Sequence, residues 1–191
     1  MMTDNYSGLD GLTVGVVGLG MIGLAVAQAY HKRGCVILYF DPAPRDLGAA
    51  AALGARSVTL DELLRTSDVV SLHVPLLPAT KGMIDAPQLA MMKPGAVLIQ
   101  VARGGIVDEA ALAARLESGQ LGGVAVDVYS TEPPDATNPL LALKGDAARR
   151  LLFTPHVAGI TLQSTAVLFK TAWDNVLRVM ERGEAPLNRV Y

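Results

Sequence analysis

The stretch Gly18-Leu19-Gly20-Met21-Ile22-Gly23 constrains this chain more than any other. Its glycines stand in a GxGxxG spacing between a valine-rich run, Leu12–Val17, and a segment of helical pattern, Met21–Arg33. In that setting each glycine has a task. Gly18 permits a tight turn out of a strand, Gly20 lets backbone approach a bulky anion, and Gly23 lets a helix pack on the strand. The helix start then offers unpaired N–H groups and a partial positive charge. Alone the hexapeptide is a weak signal, because the chain holds 19 glycines. Its strand–turn–helix setting gives it force.

The same alternation runs through the rest of the chain. Short apolar runs that read as strands are Leu12–Val17, Cys35–Phe40, Arg56–Val58, Val69–Val74, Ala96–Val101, Gly123–Val128 and Leu151–Phe153. They are apolar on both faces, as strands covered by helices on both sides are. Between them the pattern predicts helices over Met21–Arg33, Pro44–Leu53, Leu60–Thr66, Pro87–Met92 and Glu109–Ser118. The first carries His31, Lys32 and Arg33 in its last turn with Gly34 beyond, a cationic end and a glycine cap. A last helix spans about residues 162–182. Its apolar stripe is Leu162, Ala166, Phe169, Trp173, Val176 and Met180, and Gly183 closes it. The expected fold is a Rossmann-type doubly wound α/β domain, a parallel sheet with helices on both faces. A length of 191 residues suits one such domain. Its core would span about residues 9–159, followed by the long helix.

Between Gly11 and Tyr30 the only polar side chains are Thr13 and Gln28, and Gly11 with Gly15 even forms a GxxxG pair. The run could therefore pass for a membrane span. Its five glycines weaken any single helix, whereas a strand, a turn and a helix in series explain them. Asp4 and Asp10 precede the run where a signal peptide carries positive charge, so no such peptide is expected. Hydrophobic residues make up 51% and charged residues 18%, the balance of a packed globule rather than a disordered chain. A formal charge of −2 advertises no nucleic-acid partner. Cys35, the single cysteine, excludes an internal disulfide and any cysteine-based metal site, and fits a reducing compartment such as the cytoplasm.

Asp41 closes the second strand run, 18 positions beyond the last fingerprint glycine. There it can accept hydrogen bonds from both hydroxyls of an adenosine ribose and would repel a 2′-phosphate. NAD is therefore expected in preference to NADP. Ligands of open parallel sheets bind outside the carboxyl ends of the strands. The remaining polar residues of note fall at such ends. His73 and Pro75 close the fourth strand, and Arg103-Gly104-Gly105 follows the fifth. Asp127 and Glu132 lie at or past the sixth, and His156 comes shortly after Phe153. These positions converge on one rim.

Within that set Arg103, Glu132 and His156 supply a chemistry. Reducing a carbonyl needs a proton donor for its oxygen, and histidine titrates near neutrality. A carboxylate such as Glu132 would orient the imidazole and favour its protonated form. An arginine fork suits an α-carboxylate, and Gly104 and Gly105 would let a substrate come close to the backbone. Spacing alone leaves alternatives open. His156 after Thr-Pro also reads as a loop-capping residue, and Glu132 as a solvated loop acid. Asp108 and Glu109 read as the N-cap and first-turn acid of a helix. His73 reads as structural, Cys35 as core and His31 as helix surface.

These residues match a family in order and spacing. The chain resembles the NAD-binding domain of the D-isomer-specific 2-hydroxyacid dehydrogenases. The matching stretches are VGVVGLGMIG from Val14, SDVVSLHVPLLPAT from Ser67, MKPGAVLIQVARGGIVDEAAL from Met92, GVAVDVYSTEPP from Gly123 and TPHVAG from Thr154. The resemblance implies that Arg103, Glu132 and His156 form the catalytic set. It implies cofactor contacts at Gly18, Gly20, Met21, Ile22, Gly23, Asp41, Val74, Pro75, Val101, Ala102, Arg103, Asp127, His156 and Gly159, with Asp127 on the nicotinamide carboxamide. It also implies a small 2-keto or 2-hydroxy acid substrate and a homodimer.

Three departures accompany the match. Only about ten residues precede the first strand, so the family's N-terminal substrate-binding lobe is expected to be absent. KGDAARR, at Lys144–Arg150, is slightly longer than the usual approach to the last strand, and Gln100 stands where Asn or a small polar residue is usual. Two functions remain: an oxidoreductase, or an NAD-binding module without turnover.

Overall fold

The structure, a computed structural model, describes residues 8–43 and 46–187. Seven strands form one all-parallel sheet: β1 (Thr13–Val17), β2 (Val36–Phe40), β3 (Arg56–Ser57), β4 (Val69–Leu72), β5 (Val97–Gln100), β6 (Gly123–Val126) and β7 (Leu151–Phe153). Their order is β3-β2-β1-β4-β5-β6-β7, so the winding direction reverses between β1 and β4. The helices are α1 (Met21–His31), α2 (Leu47–Ala52), α3 (Leu60–Thr66), α4 (Ala86–Met91), α5 (Glu109–Glu117), α6 (Gly145–Arg149) and α7 (Leu162–Arg182).

Right-handed crossovers explain the two layers. Moving from β1 to β3 puts α1 and α2 on one face, where Ala27 and Ala50 pack with Val14, Val16, Ile37 and Tyr39. Moving the other way puts α3 to α6 on the opposite face. There Leu63, Leu89, Leu112 and Ala147 pack with Val17, Leu72, Leu98 and Val126. Cys35 is buried in the first cluster and His31 is exposed, as read from the sequence.

All seven expected strands are present, but four end early, β3 by one residue at Ser57. β4, β5 and β6 stop at Leu72, Gln100 and Val126 although their apolar runs continue. The backbone leaves the sheet there to build rim loops, and one further rung persists past the ends of β4, β6 and β7. Those rungs are His73 N–H to Val17 O (2.7 Å), Asp127 N–H to Gln100 O (3.0 Å) and Thr154 N–H to Val126 O (3.0 Å). α2 begins at Leu47 with Asp46 as its cap, and the expected Pro44 and Arg45 lie outside the described residues. α6 was not expected. At five residues it is too short for periodicity to reveal, and it absorbs the added length of Lys144–Arg150. Arg150, which caps it, donates to Leu121 O and Leu116 O at 2.7 Å each and so ties the segment to α5.

The chain divides into two compact units at Pro155/His156. The second is dominated by α7, opened by a Thr161/Ser164 capping box and closed by Gly183 in the left-handed region. Its apolar stripe has the expected spacing, yet none of its residues is buried: Phe169 is 71% exposed, Trp173 64% and Met180 80%. No helix among the described residues is long and apolar enough to cross a membrane.

At the end of β4 the ring Nε2 of His73 lies 2.9 Å from the hydroxyl of buried Ser71. Burial pushes the imidazole down from its ordinary 6.5 to about 4. Between those values the unfolded chain binds the extra proton and the folded one does not, so stability rises with pH across that window. The contribution is fully present above pH 6.5 and is lost as pH falls toward 4, amounting to at most about 3 kcal/mol. Urea midpoints should therefore drop between pH 7 and 4.5. A His73→Gln variant, which keeps a partner for Ser71 but does not titrate, should show a shallower drop.

Candidate functional site

β1 leaves the sheet through Gly18, whose φ of 93° suits only glycine well. A Cβ there would stand 2.8 Å from the His73 carbonyl oxygen, so the exit of β4 also forbids a side chain. The turn is held by Gly18 N–H to Phe40 O (2.9 Å) and Leu19 N–H to Asp41 Oδ2 (2.7 Å). A Cβ at Gly23 would overlap the Gly18 carbonyl, the close packing expected of the third glycine.

Gly20, the N-cap of α1, has open space where a side chain would be. No side chain caps α1 and no acid lies in its first turn. By contrast Asp46, Thr59, Asp108 and Thr161 cap α2, α3, α5 and α7. The first amides of α1 thus stay available for phosphate oxygens, and the open cradle at Gly20 fits a pyrophosphate. Met21 and Ile22 beside it are 83% and 69% exposed, an apolar cost in water that a bound dinucleotide would relieve.

Asp41 has a second duty that the sequence did not reveal. Its Oδ2 accepts from Leu19 and its Oδ1 from Ala43 N–H (2.8 Å), so it locks the glycine turn to the end of β2. Each carboxylate oxygen keeps lone-pair capacity for a ribose hydroxyl.

The β5 exit is shaped by Gln100, 3% exposed. Its Oε1 accepts from Ala102 N–H (3.3 Å) and its Nε2 donates to Arg103 O (2.9 Å). The departure at position 100 therefore does structural work for the loop that carries Arg103. Val101 is half-buried and Ala102 buried, while Arg103 is exposed and donates from Nη1 to Ala102 O (2.7 Å). At Gly104 the space expected for a substrate is filled by protein. A Cβ there would overlap the Tyr129 carbonyl, so the glycine lets the Arg103 loop press on Tyr129–Ser130. Gly105 remains open, with only Leu76 near.

Tyr129 and Glu132 lie on that second loop. Glu132 is exposed, and its Oε1 accepts from Tyr129 N–H (3.0 Å). Asp127, buried, accepts from the Thr154 hydroxyl at 2.6 Å, and the Tyr129 hydroxyl donates to Thr154 O at 2.7 Å. Burial and then the charge of Asp127 push the Tyr129 phenol up, so it stays a neutral donor.

The first unit thus sets Gly18, Gly20, Asp41, Val74, Pro75, Arg103, Asp127 and Glu132 at or just past the carboxyl ends of parallel strands. His156 and Gly159 belong to the second unit, His156 with a φ of 54° and exposed. Sequence reasoning missed the loop-holding roles of Gln100, Tyr129 and Thr154. A polar residue inside an apolar strand run was the one available signal, and it pointed to Gln100.

The reversal of winding beside an uncapped helix, with an acid at the end of β2, defines a dinucleotide-binding domain. Residues 2–158 match the NAD-binding domain of the D-isomer-specific 2-hydroxyacid dehydrogenases, and the chain belongs to that family. It is 43% identical over 172 residues to the (S)-sulfolactate dehydrogenase of Chromohalobacter salexigens, covering 90% of this chain and 54% of that protein. It is 42% identical over 169 residues to the glycerate dehydrogenase of Methylorubrum extorquens, covering 88% and 50%. The holo structure of D-mandelate dehydrogenase from Rhodotorula graminis matches with a TM-score of 0.85 at 33% identity, covering 97% of this chain and 53% of that one. The chain spans about half the length of these relatives.

Replacing Asp41 tests the cofactor site. Asp41→Ala should weaken NADH binding by about 1–3 kcal/mol, the scale of a hydrogen bond to a charged group. NADPH should lose less, because the loosened Leu19 anchor affects both cofactors but the ribose contact favours only NADH. Equal losses in calorimetric titrations would count against the assignment.

Proposed function

We propose that this domain serves an NAD-dependent oxidoreductase that interconverts a D-2-hydroxy acid and its 2-keto acid. The observation that carries the reading is the pairing of loops beyond β5 and β6. Arg103 stands exposed on one and Glu132 on the other, with Gly104 pressed against Tyr129 between them. A cation and a carboxylate are thereby held on the same rim as the glycine turn.

When bound, the nicotinamide supplies or takes the hydride. Arg103 binds the substrate α-carboxylate through its guanidinium fork and helps polarise the adjacent carbonyl. Asp127 accepts from the nicotinamide carboxamide. By the family's pattern His156 gives the proton to the carbonyl oxygen during reduction, and Glu132 favours the protonated imidazole. The single cysteine fits a cytoplasmic setting.

Steady-state reduction of glyoxylate, hydroxypyruvate and pyruvate by NADH, measured beside NADH affinity, tests this. Turnover supports the dehydrogenase; NADH binding with none of these reduced supports a binding module instead. In the active protein His156→Asn should lower kcat roughly 10²- to 10⁴-fold, with NADH affinity barely changed. Glu132→Gln should move the alkaline limit of reduction to lower pH, since a neighbouring negative charge is removed. Arg103→Lys should act mainly on KM for the keto acid. A Glu132→Gln pH profile that matched the parent would break the proposed coupling.

The family pattern and the exposed stripe of α7, with Phe169, Trp173 and Met180, support a homodimer. Sedimentation at micromolar concentration should show a dimer, and a monomer alone would overturn that.

A further inference from the structure

Glu109, the first residue of α5, does more than favour the helix N-terminus. Its Oε1 accepts from Ser130 N–H at 2.7 Å and its Oε2 accepts from Asn138 Nδ2 at 2.9 Å. These partners stand 21 and 29 positions away in the chain, at the two ends of the stretch that contains Glu132. Asn138 is buried, and its Oδ1 accepts from Leu140 N–H at 3.0 Å, so the second anchor is itself fixed. Helix capping explains none of this, since Asp108 already accepts from Ala110 and Ala111 N–H.

The consecutive amides of Tyr129 and Ser130 are divided between two carboxylates. Tyr129 N–H holds Glu132, and Ser130 N–H holds Glu109. Glu109 and the loop residues Thr131, Pro134, Asp135, Thr137 and Asn138 line a cleft of about 140 Å³. A loop beside such a space has room to sag unless something ties it at both ends. Glu109 opens α5, the helix into which the Arg103 loop leads, so one stretch of chain carries the arginine and then the loop's tie.

We propose that Glu109 is a positioning residue: its carboxylate clamps both ends of the 130–138 loop and so sets where Glu132 stands relative to Arg103. The inference rests on the catalytic reading of Glu132 and extends it to a residue outside that set.

Hydrogen-bond polarity supplies the test. In Glu109→Gln the amide oxygen can still accept from Ser130, but its NH2 then faces the NH2 of Asn138, donor against donor. Adding Asn138→Asp places an acceptor there and keeps one for Leu140, so the double variant restores every bond with the direction of one reversed. Amide hydrogen exchange on the chain as it stands reads the loop without turnover. Ser130 and Tyr129 amides should lose protection in Glu109→Gln and regain it in the double variant. In the active protein kcat should fall roughly 10- to 100-fold, as for a catalytic group displaced by about 1 Å. The alkaline limit of reduction should shift as for Glu132→Gln, with NADH affinity unchanged, and the double variant should recover both. Unchanged Tyr129 protection in Glu109→Gln, or a double variant as impaired as the single, would overturn the proposal. Absence of turnover in the parent would instead overturn the dehydrogenase reading and leave the exchange result to judge the clamp.

Discussion

β1 pairs in parallel with both β2 and β4, and this double pairing is the constraint on which the rest depends. Val17 lies opposite Phe40 on one side and Leu72 on the other, so three strands end at one level. Their exits then interlock. Gly18 donates to Phe40, Leu19 to Asp41, and His73 to Val17. A glycine turn that must meet an anion is built from bonds that reach across the sheet rather than along the chain. Because the winding direction reverses here, no crossover helix covers the gap, and the first turn of α1 faces open space.

The other half of the rim is held by side-chain hydrogen bonds, most of them to backbone. Gln100 shapes the β5 exit, Tyr129 and Asp127 tie the β6 exit to Thr154, and Glu109 ties the loop that follows. Each such bond adds about 0.5–1.5 kcal/mol net, or about 1.5–3 kcal/mol where a carboxylate accepts, and each also fixes geometry. Exposed loops carry Arg103 and Glu132, while buried or half-buried polar groups behind them decide where those side chains stand. The arrangement suits a domain that binds a dinucleotide and presents charged side chains on the same rim.

Much of the fold was legible. Valine-rich runs and helical stripes located every strand and most helices, because each pattern is periodic and local. What was misread follows from the same fact. The apolar runs at Val74, Val101 and Val128 continue past the sheet because these residues remain packed after the backbone has left it. α6 has too few residues for a period to show. The stripe of α7 was read correctly as a stripe, but periodicity says nothing of what covers it, and within this chain it stands exposed. In the site, Asp41 and Arg103 were visible because a charged residue interrupts an apolar pattern. Glu109 was read as an ordinary first-turn acid, and nothing in its neighbours distinguishes it from one.

By itself the sequence determined a parallel α/β domain, its nucleotide turn, NAD as its cofactor, and the family. Each of these rests on local order: glycines at fixed offsets, an acid at a strand end, motifs in succession. Tertiary structure alone decided that Asp41 also locks the glycine turn and that Gly104 yields its space to Tyr129. It likewise decided that Gln100 shapes the Arg103 loop and that Glu109 spans to Ser130 and Asn138. The longest of these links join residues more than 20 positions apart, where only the packing of parallel strand ends brings donor and acceptor within hydrogen-bond reach.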